Sequence, residues 1–366
     1  MSWVISMDRA QALKVRGKNL VRRAGLPVMQ RIWNQLPEWV HHPYLTMLGV
    51  ALTRICNADC TFCAYQFLSR EERRHMPDDI FERVVEEVAA LRVPHIHLSP
   101  NLGDPLVAPR LLDKIAALRR AGVQLIYLTT NGILLERIGI SEFLEHGPDI
   151  IGISTSGFDE EMYRRVYRSK QYHRMRAGVL QLLRENHARP PERRRYISIR
   201  IRADRPKEEF LRYPDMEEII RLADDVKYNE MYGDWGGLIK PEMLTGDMRL
   251  RPMVPHTNRP CAQLYNLAVH PDGEILACAC QNIHHDAKMS LGNIRHIGLA
   301  QAWRRLGHLT AAWKQGEMPD TCRRCSMYND PAAAWPGLLR QALVHLRLRG
   351  PREVLETSLS RNAVHL

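Results

Sequence analysis

The feature that most constrains this chain is Cys56-Asn-Ala-Asp-Cys60-Thr-Phe-Cys63, three cysteines spaced C-x3-C-x2-C. Thiolates are the soft ligands of iron–sulfur clusters, and a [4Fe–4S] cube normally takes four of them. Three local cysteines leave one iron open to a small molecule. The run before them, Leu45-Thr-Met-Leu-Gly-Val-Ala-Leu-Thr53, is short, apolar and partly β-branched, and predicts a buried strand. The cysteines then occupy the loop after a strand, where α/β barrels carry their chemistry. Zinc is the alternative reading, although zinc sites favour paired C-x2-C or Cys/His sets with four ligands.

At 366 residues the chain is long enough for a barrel plus an appendage, and 45% apolar composition supplies a sizeable core. Its apolar runs fall far short of a membrane span, and Met1-Ser-Trp-Val-Ile-Ser-Met7 lacks the basic start and cleavage site of a signal peptide. A cytoplasmic location is therefore expected, in agreement with cysteines grouped at metal-like spacings. The net charge of +11 favours anionic partners or marks a solvated basic surface. No RNA-binding motif with interleaved aromatics is present, so no nucleic-acid partner is expected.

Four segments are expected. Residues 1–44 read as a basic amphipathic helical segment, packed on the body of the protein or, alternatively, in peripheral contact with a membrane. Residues 45–240 alternate strand and helix. Strands are predicted at 45–53, 95–98, 125–129, 150–154, 197–202 and 226–231, and helices at 78–92, 110–121, 160–185 and 216–223. Such repeated units imply a parallel sheet. Residues 241–330 form a second, cysteine-bearing unit that opens with a linker rich in Pro and Arg near 241–260. Residues 331–366 read as a basic helical tail.

The C-x3-C-x2-C loop, with Phe62 just before its third cysteine, resembles the signature of the radical S-adenosylmethionine (radical SAM) enzymes. That resemblance implies an α/β fold with a partial (β/α)6 barrel. It also implies a [4Fe–4S] cluster on Cys56, Cys60 and Cys63 whose open iron chelates SAM, and reductive cleavage of SAM to a 5′-deoxyadenosyl radical. Leu102-Gly103-Asp104-Pro105 resembles the family's Gly-Gly-Glu-Pro stretch, with Leu102 and Asp104 departing from it, and implies contact with the SAM ammonium. Thr129-Thr-Asn131-Gly132 and Ser154-Thr-Ser-Gly157 end the third and fourth strands as in relatives, which makes Asn131 and Ser154 cofactor candidates. Arg200 and Arg202 lie two apart on the fifth strand and so share a face. They either grip the SAM carboxylate or an anionic substrate, or face solvent or a helix.

A second set follows: Cys261, the turn His270-Pro-Asp-Gly273, Cys278, Cys280 and Cys322-Arg-Arg-Cys325. Pro-Asp-Gly between two apolar runs signals a hairpin, which would bring Cys261 and Cys278 together. This set resembles the SPASM/twitch extension of radical SAM proteins and implies one auxiliary [4Fe–4S] cluster on Cys261, Cys278, Cys322 and Cys325, with four-cysteine zinc as the alternative. The spacing of four residues between Gly273 and Cys278 leaves Cys280 as a candidate hydrogen-atom donor; an inert thiol, or an exchange of roles with Cys278, are the other readings.

The expected function is a radical SAM enzyme, an oxidoreductase or epimerase, that abstracts hydrogen from a polar, carbohydrate-like or aminocyclitol-like small molecule. Its expected partner is an electron donor such as flavodoxin or ferredoxin. A peptide- or protein-modifying enzyme and a non-catalytic iron–sulfur scaffold are the alternatives.

Overall fold

The computed structural model describes residues 45, 47–278, 283 and 286–330. The predicted N-terminal helical segment, the C-terminal tail and Cys280 lie outside the described residues.

Strand β1 (Met47–Val50) leads into the cysteine loop, and helix α1 (Asp78–Ala90) returns to strand β2 (His95–His97). Helix α2 (Leu111–Arg120), strand β3 (Leu125–Thr130), helices α3 (Leu135–Ile138) and α4 (Ile140–His146) and strand β4 (Ile150–Thr155) follow. Next come helices α5 (Glu160–Tyr167) and α6 (Tyr172–Ala188), strand β5 (Tyr196–Arg202), helices α7 (Lys207–Phe210) and α8 (Pro214–Leu222), and strand β6 (Asp225–Asn229). Strands β1 to β6 pair in parallel and in chain order.

In β2 to β5 aliphatic residues recur at every second position over most of each strand. Ile96, Ile126, Leu128, Ile151, Ile153, Ile197 and Ile199 are buried and join the apolar faces of the helices in one core. The opposite face carries His97, Tyr127, Thr129, Ser154, Arg200 and Arg202, all half-buried. Residues two apart on a strand share a face, so a period of two separates a helix-covered side from an inner side. A (β/α)8 barrel fills its inside with branched apolar layers; here the inner wall is polar.

Three expectations are corrected. The single helix over 160–185 is two helices, because Arg168 takes a left-handed conformation (φ 49°) and the Ser169 hydroxyl accepts from the Gln171 amide. The strand at 226–231 ends at Asn229, and a short strand β7 (Met231–Tyr232) pairs with β8 (Arg249–Leu250). That pairing draws the expected linker back onto the barrel, where the Asp247 amide also donates to the Asp204 carbonyl at 2.8 Å.

The hairpin forms as expected, from β9 (Leu267–Val269) and β10 (Glu274–Leu276), and β11 (Ser290–Asn293) extends it. Strand β9 also pairs in parallel with β1, so among the described residues one sheet runs β11-β10-β9-β1-β2-β3-β4-β5-β6. Gly49 permits this junction, since a Cβ there would lie 2.7 Å from Pro100 and 3.1 Å from Ala268. Helices α9 (Leu299–Lys314) and α10 (Asp320–Arg323) are the last among the described residues, and α10 carries Cys322 back toward the hairpin. No helix among the described residues is long and apolar enough to cross a membrane.

Candidate active site

Cys56, Cys60 and Cys63 lie together after β1. Burial pushes all three thiols up, Cys63 to about 11; for Cys56 the Asp104 carboxylate adds to this, and for Cys60 the other two cysteines do. A thiol group held like this ionises readily only when a metal centre supplies the positive charge. Ala64, Tyr65, Leu68, Leu102 and Ile283 form an apolar cluster, with Cys56, Cys63 and Trp235 packed against it. Leu102, which departs from the family's first Gly, is part of that shield. Trp235 donates its indole N–H to the Phe62 carbonyl at 3.0 Å and so pins the loop after β7 over the cysteines.

Asp104 follows β2 and is buried. Its carboxylate accepts from the Leu106 amide (2.9 Å), the Thr130 hydroxyl (2.8 Å) and the Asn131 amide (2.7 Å), while burial raises its pKa. Asp104 therefore ties the end of β2 to the end of β3. Asn131 passes the tie onward, donating to the Asn57 side chain at 2.6 Å with its Nδ2 3.8 Å from the Cys56 sulfur. Gly103 (φ +94°) brings this loop against β1, where a Cβ would stand 2.4 Å from the Thr53 carbonyl oxygen. Pro105 opens a single 3-10 turn behind Asp104.

Arg202 lies over the rings of Phe62 (5.5 Å) and Tyr232 (5.8 Å) and donates to the Ser154 hydroxyl at 3.3 Å. Its charge favours the thiolate forms of Cys60 and Cys63. Arg200 reaches Tyr127 instead, at 2.5 Å, across β4. Both arginines thus face the inner wall, not solvent. Ser156 is buried, its hydroxyl without a hydrogen-bond partner; the structure gives no account of it.

Cys261, Cys278, Cys322 and Cys325 line one cavity of about 430 Å³. Burial raises the Cys261 thiol to about 11 and Cys325 to about 12, with Cys278 raising each of them further. The Asn329 amide donates to the Cys261 sulfur and the Met327 amide to the Cys325 sulfur, both at 3.3 Å, the kind of contact that tunes cluster potentials. Among the described residues no three His, Cys, Asp or Glu side chains close around a point as ligands of one metal ion. The four thiols surround a space instead, and this donor set fits a cube.

Comparison with known proteins agrees. The radical SAM superfamily profile matches residues 50–201 and the SPASM iron–sulfur cluster-binding domain matches residues 261–326, together more than half of the chain. The chain belongs to the radical SAM superfamily. Membership brings a SAM-binding [4Fe–4S] cluster and SPASM-type auxiliary cluster chemistry. A probable GTP 3′,8-cyclase of Methanothermobacter marburgensis is 29% identical over 38% of this chain and 44% of its own length. This chain thus spans less than half the length of the GTP 3′,8-cyclases it matches. A PqqA peptide cyclase of Gluconobacter oxydans is 21% identical over 77% of this chain and 83% of its own. The structure of BtrN with AdoMet and 2-DOIA superposes with a TM-score of 0.52 at 16% identity, covering 79% of this chain and 96% of that one. AdoMet-bound anSMEcpe gives 0.52 at 16% identity, covering 81% and 99%. These likenesses establish a shared fold.

Sequence reasoning missed His97, Ser99, Tyr127 and Gly152. The signal was the alternation itself: Ile96, Ile126, Leu128, Ile151, Ile153, Ile197 and Ile199 fall at alternate positions of β2 to β5, so the residues between them mark the inner wall.

Proposed function

We propose that this protein is an enzyme that cleaves SAM reductively and removes a hydrogen atom from a polar small molecule seated inside the barrel. The supporting observation is that the three-thiol loop stands at the mouth of a barrel whose inner wall is polar. On this reading Cys56, Cys60 and Cys63 hold the first cluster, and Phe62, Gly103, Pro105, Asn131, Ser154 and Arg202 shape the SAM site, with Asp104 acting through Asn131. Cys261, Cys278, Cys322 and Cys325 hold the auxiliary cluster. When bound, the first cluster and SAM supply a reducing electron and a hydrogen-abstracting radical. The chain supplies position and dryness: the shield of Tyr65, Leu68, Leu102 and Trp235 excludes water, and the hydroxyls of Ser99, Tyr127 and Thr129 orient a substrate rich in oxygen.

That wall suits a carbohydrate-like substrate that is epimerised or oxidised. Residues 45–240 serve as the catalytic unit and 241–330 as the auxiliary unit, with flavodoxin or ferredoxin as the class of electron donor. A peptide-modifying role is the second reading, favoured by the alignment with a PqqA peptide cyclase along most of both chains. Anaerobic incubation of the reconstituted protein with SAM and dithionite is expected to release 5′-deoxyadenosine. A fully loaded protein that leaves SAM intact overturns the proposal, and release stimulated by a peptide but by no sugar selects the second reading.

A further inference from the structure

We propose that the inner wall of the barrel holds an anion-recognition site built on Arg200, so that the substrate carries a carboxylate or phosphate group. The inference rests on the proposed function and narrows its polar substrate to an acidic one.

Arg200 and Arg202 differ in depth. At about 3.3 Å of rise per residue, two positions along β5 separate them by about 7 Å. Arg202 stands at the strand end beside Phe62 and the cysteine loop, and Arg200 lies one layer deeper. Three nearby cations are matched, Arg195 with Asp149 at 3.4 Å, Arg165 with Asp204 at 2.6 Å and Lys227 with Asp225 at 3.2 Å, while Arg202 rests over the rings of Phe62 and Tyr232. Among the described residues Arg200 faces no carboxylate at ion-pair distance, and its buried Nε–H has no hydrogen-bond partner. A buried guanidinium N–H without a partner is costly unless something else supplies an acceptor.

The groups around it are arranged as donors. Arg200 Nη2 donates to the Tyr127 phenol oxygen at 2.5 Å, and the Thr129 hydroxyl donates to the same oxygen at 2.7 Å. A phenol accepts with its lone pairs and donates its one hydrogen. With both acceptor positions filled by the chain, the Tyr127 hydrogen is left for an acceptor other than Arg200 or Thr129. Tyr127 is fixed in place: its ring stacks on His97 at 4.4 Å, and it crosses β4 where Gly152 leaves room. A Cβ at Gly152 would lie 3.1 Å from the phenol oxygen. His97 is held neutral, its pKa pushed down to about 3 by burial and by Arg200, so it adds no competing charge. Asp225, opposite Ser198 on the neighbouring strand β6, is occupied by Lys227 and by the Ser198 hydroxyl at 3.2 Å. One guanidinium and one phenol hydrogen converging without a carboxylate fit an oxyanion, and they repel a cationic amine.

The test uses anaerobically reconstituted protein saturated with SAM, so that the SAM carboxylate occupies its own site. Calorimetric titrations with inorganic phosphate, D-gluconate and neutral myo-inositol are compared in wild type, Arg200→Gln, Arg200→Lys and Tyr127→Phe. At least one anion is expected to bind wild type more tightly than inositol. Arg200→Gln should weaken that anion at least about tenfold and Tyr127→Phe several-fold, with Arg200→Lys partly restoring it, while iron content and SAM affinity hold. Preference for phosphate or for gluconate names the group. The proposal is overturned if neither anion binds, if Arg200→Gln binds both as wild type does, or if that variant loses SAM affinity in parallel. Reductive cleavage of SAM without these anions tests the proposed function separately: a protein that cleaves SAM but ignores both anions loses this inference alone.

Discussion

Replacing Asp104 with Ala should loosen the whole mouth of the barrel. Two backbone amides, of Leu106 and Asn131, and one hydroxyl, of Thr130, donate to this single buried carboxylate at 2.7–2.9 Å. Removing it orphans two amides at about 1–3 kcal/mol each. The cost of keeping a carboxylate buried, visible in its raised pKa, is relieved at the same time. The net loss is expected near 2–5 kcal/mol. Because Asn131 then loses its anchor, Asn57 and Cys56 shift, and SAM affinity and first-cluster loading should fall together. Asp104→Asn keeps the shape and one acceptor, and should cost only about 1–2 kcal/mol. Anaerobic urea unfolding, with iron content and SAM affinity measured in parallel, checks both variants. If Asp104→Asn abolished SAM binding at unchanged stability, Asp104 would touch the SAM ammonium directly and the positioning argument would be refuted.

Gly103→Ala should fail to load the first cluster, since φ +94° is strained for a side chain and its Cβ would meet the Thr53 carbonyl at 2.4 Å; iron analysis and circular dichroism of the purified variant check this. Cys322→Ala should lose about four irons and keep a SAM-responsive cube, measured by iron content and electron paramagnetic resonance. His97 refuses a proton down to about pH 3 in the fold, whereas an unfolded histidine takes one near 6.5. Its contribution to stability is therefore present above about pH 6.5 and is lost as the pH falls toward 3, and His97→Asn should show a flatter acid-side slope in urea midpoints measured between pH 7 and 5.

Both cysteine sets were legible because metal ligation demands a residue type at a fixed spacing, and the Pro-Asp-Gly turn marked the hairpin for a local steric reason. The aliphatic alternation of β2 to β5 fixed which side meets the helices, and Arg200 and Arg202 share the opposite side as two-residue spacing requires. What escaped was non-local. Nothing near Leu267 announces that β9 pairs with β1, because a parallel partner 219 positions away is chosen by the sheet as a whole. The role of Asp104 was hidden in the same way: its donors Thr130 and Asn131 come from another strand. The break after Tyr167 rests on one left-handed Arg168, a conformation with weak sequence preference outside Gly and Asn.

The most direct test pairs iron analysis with SAM cleavage in wild type and in a variant with Cys56, Cys60 and Cys63 all replaced by Ala. Wild type should carry about eight irons per chain and release 5′-deoxyadenosine under reduction; the variant should keep about four irons and release none. SAM cleavage by the variant, or intact SAM in wild type loaded with both cubes, would contradict the account.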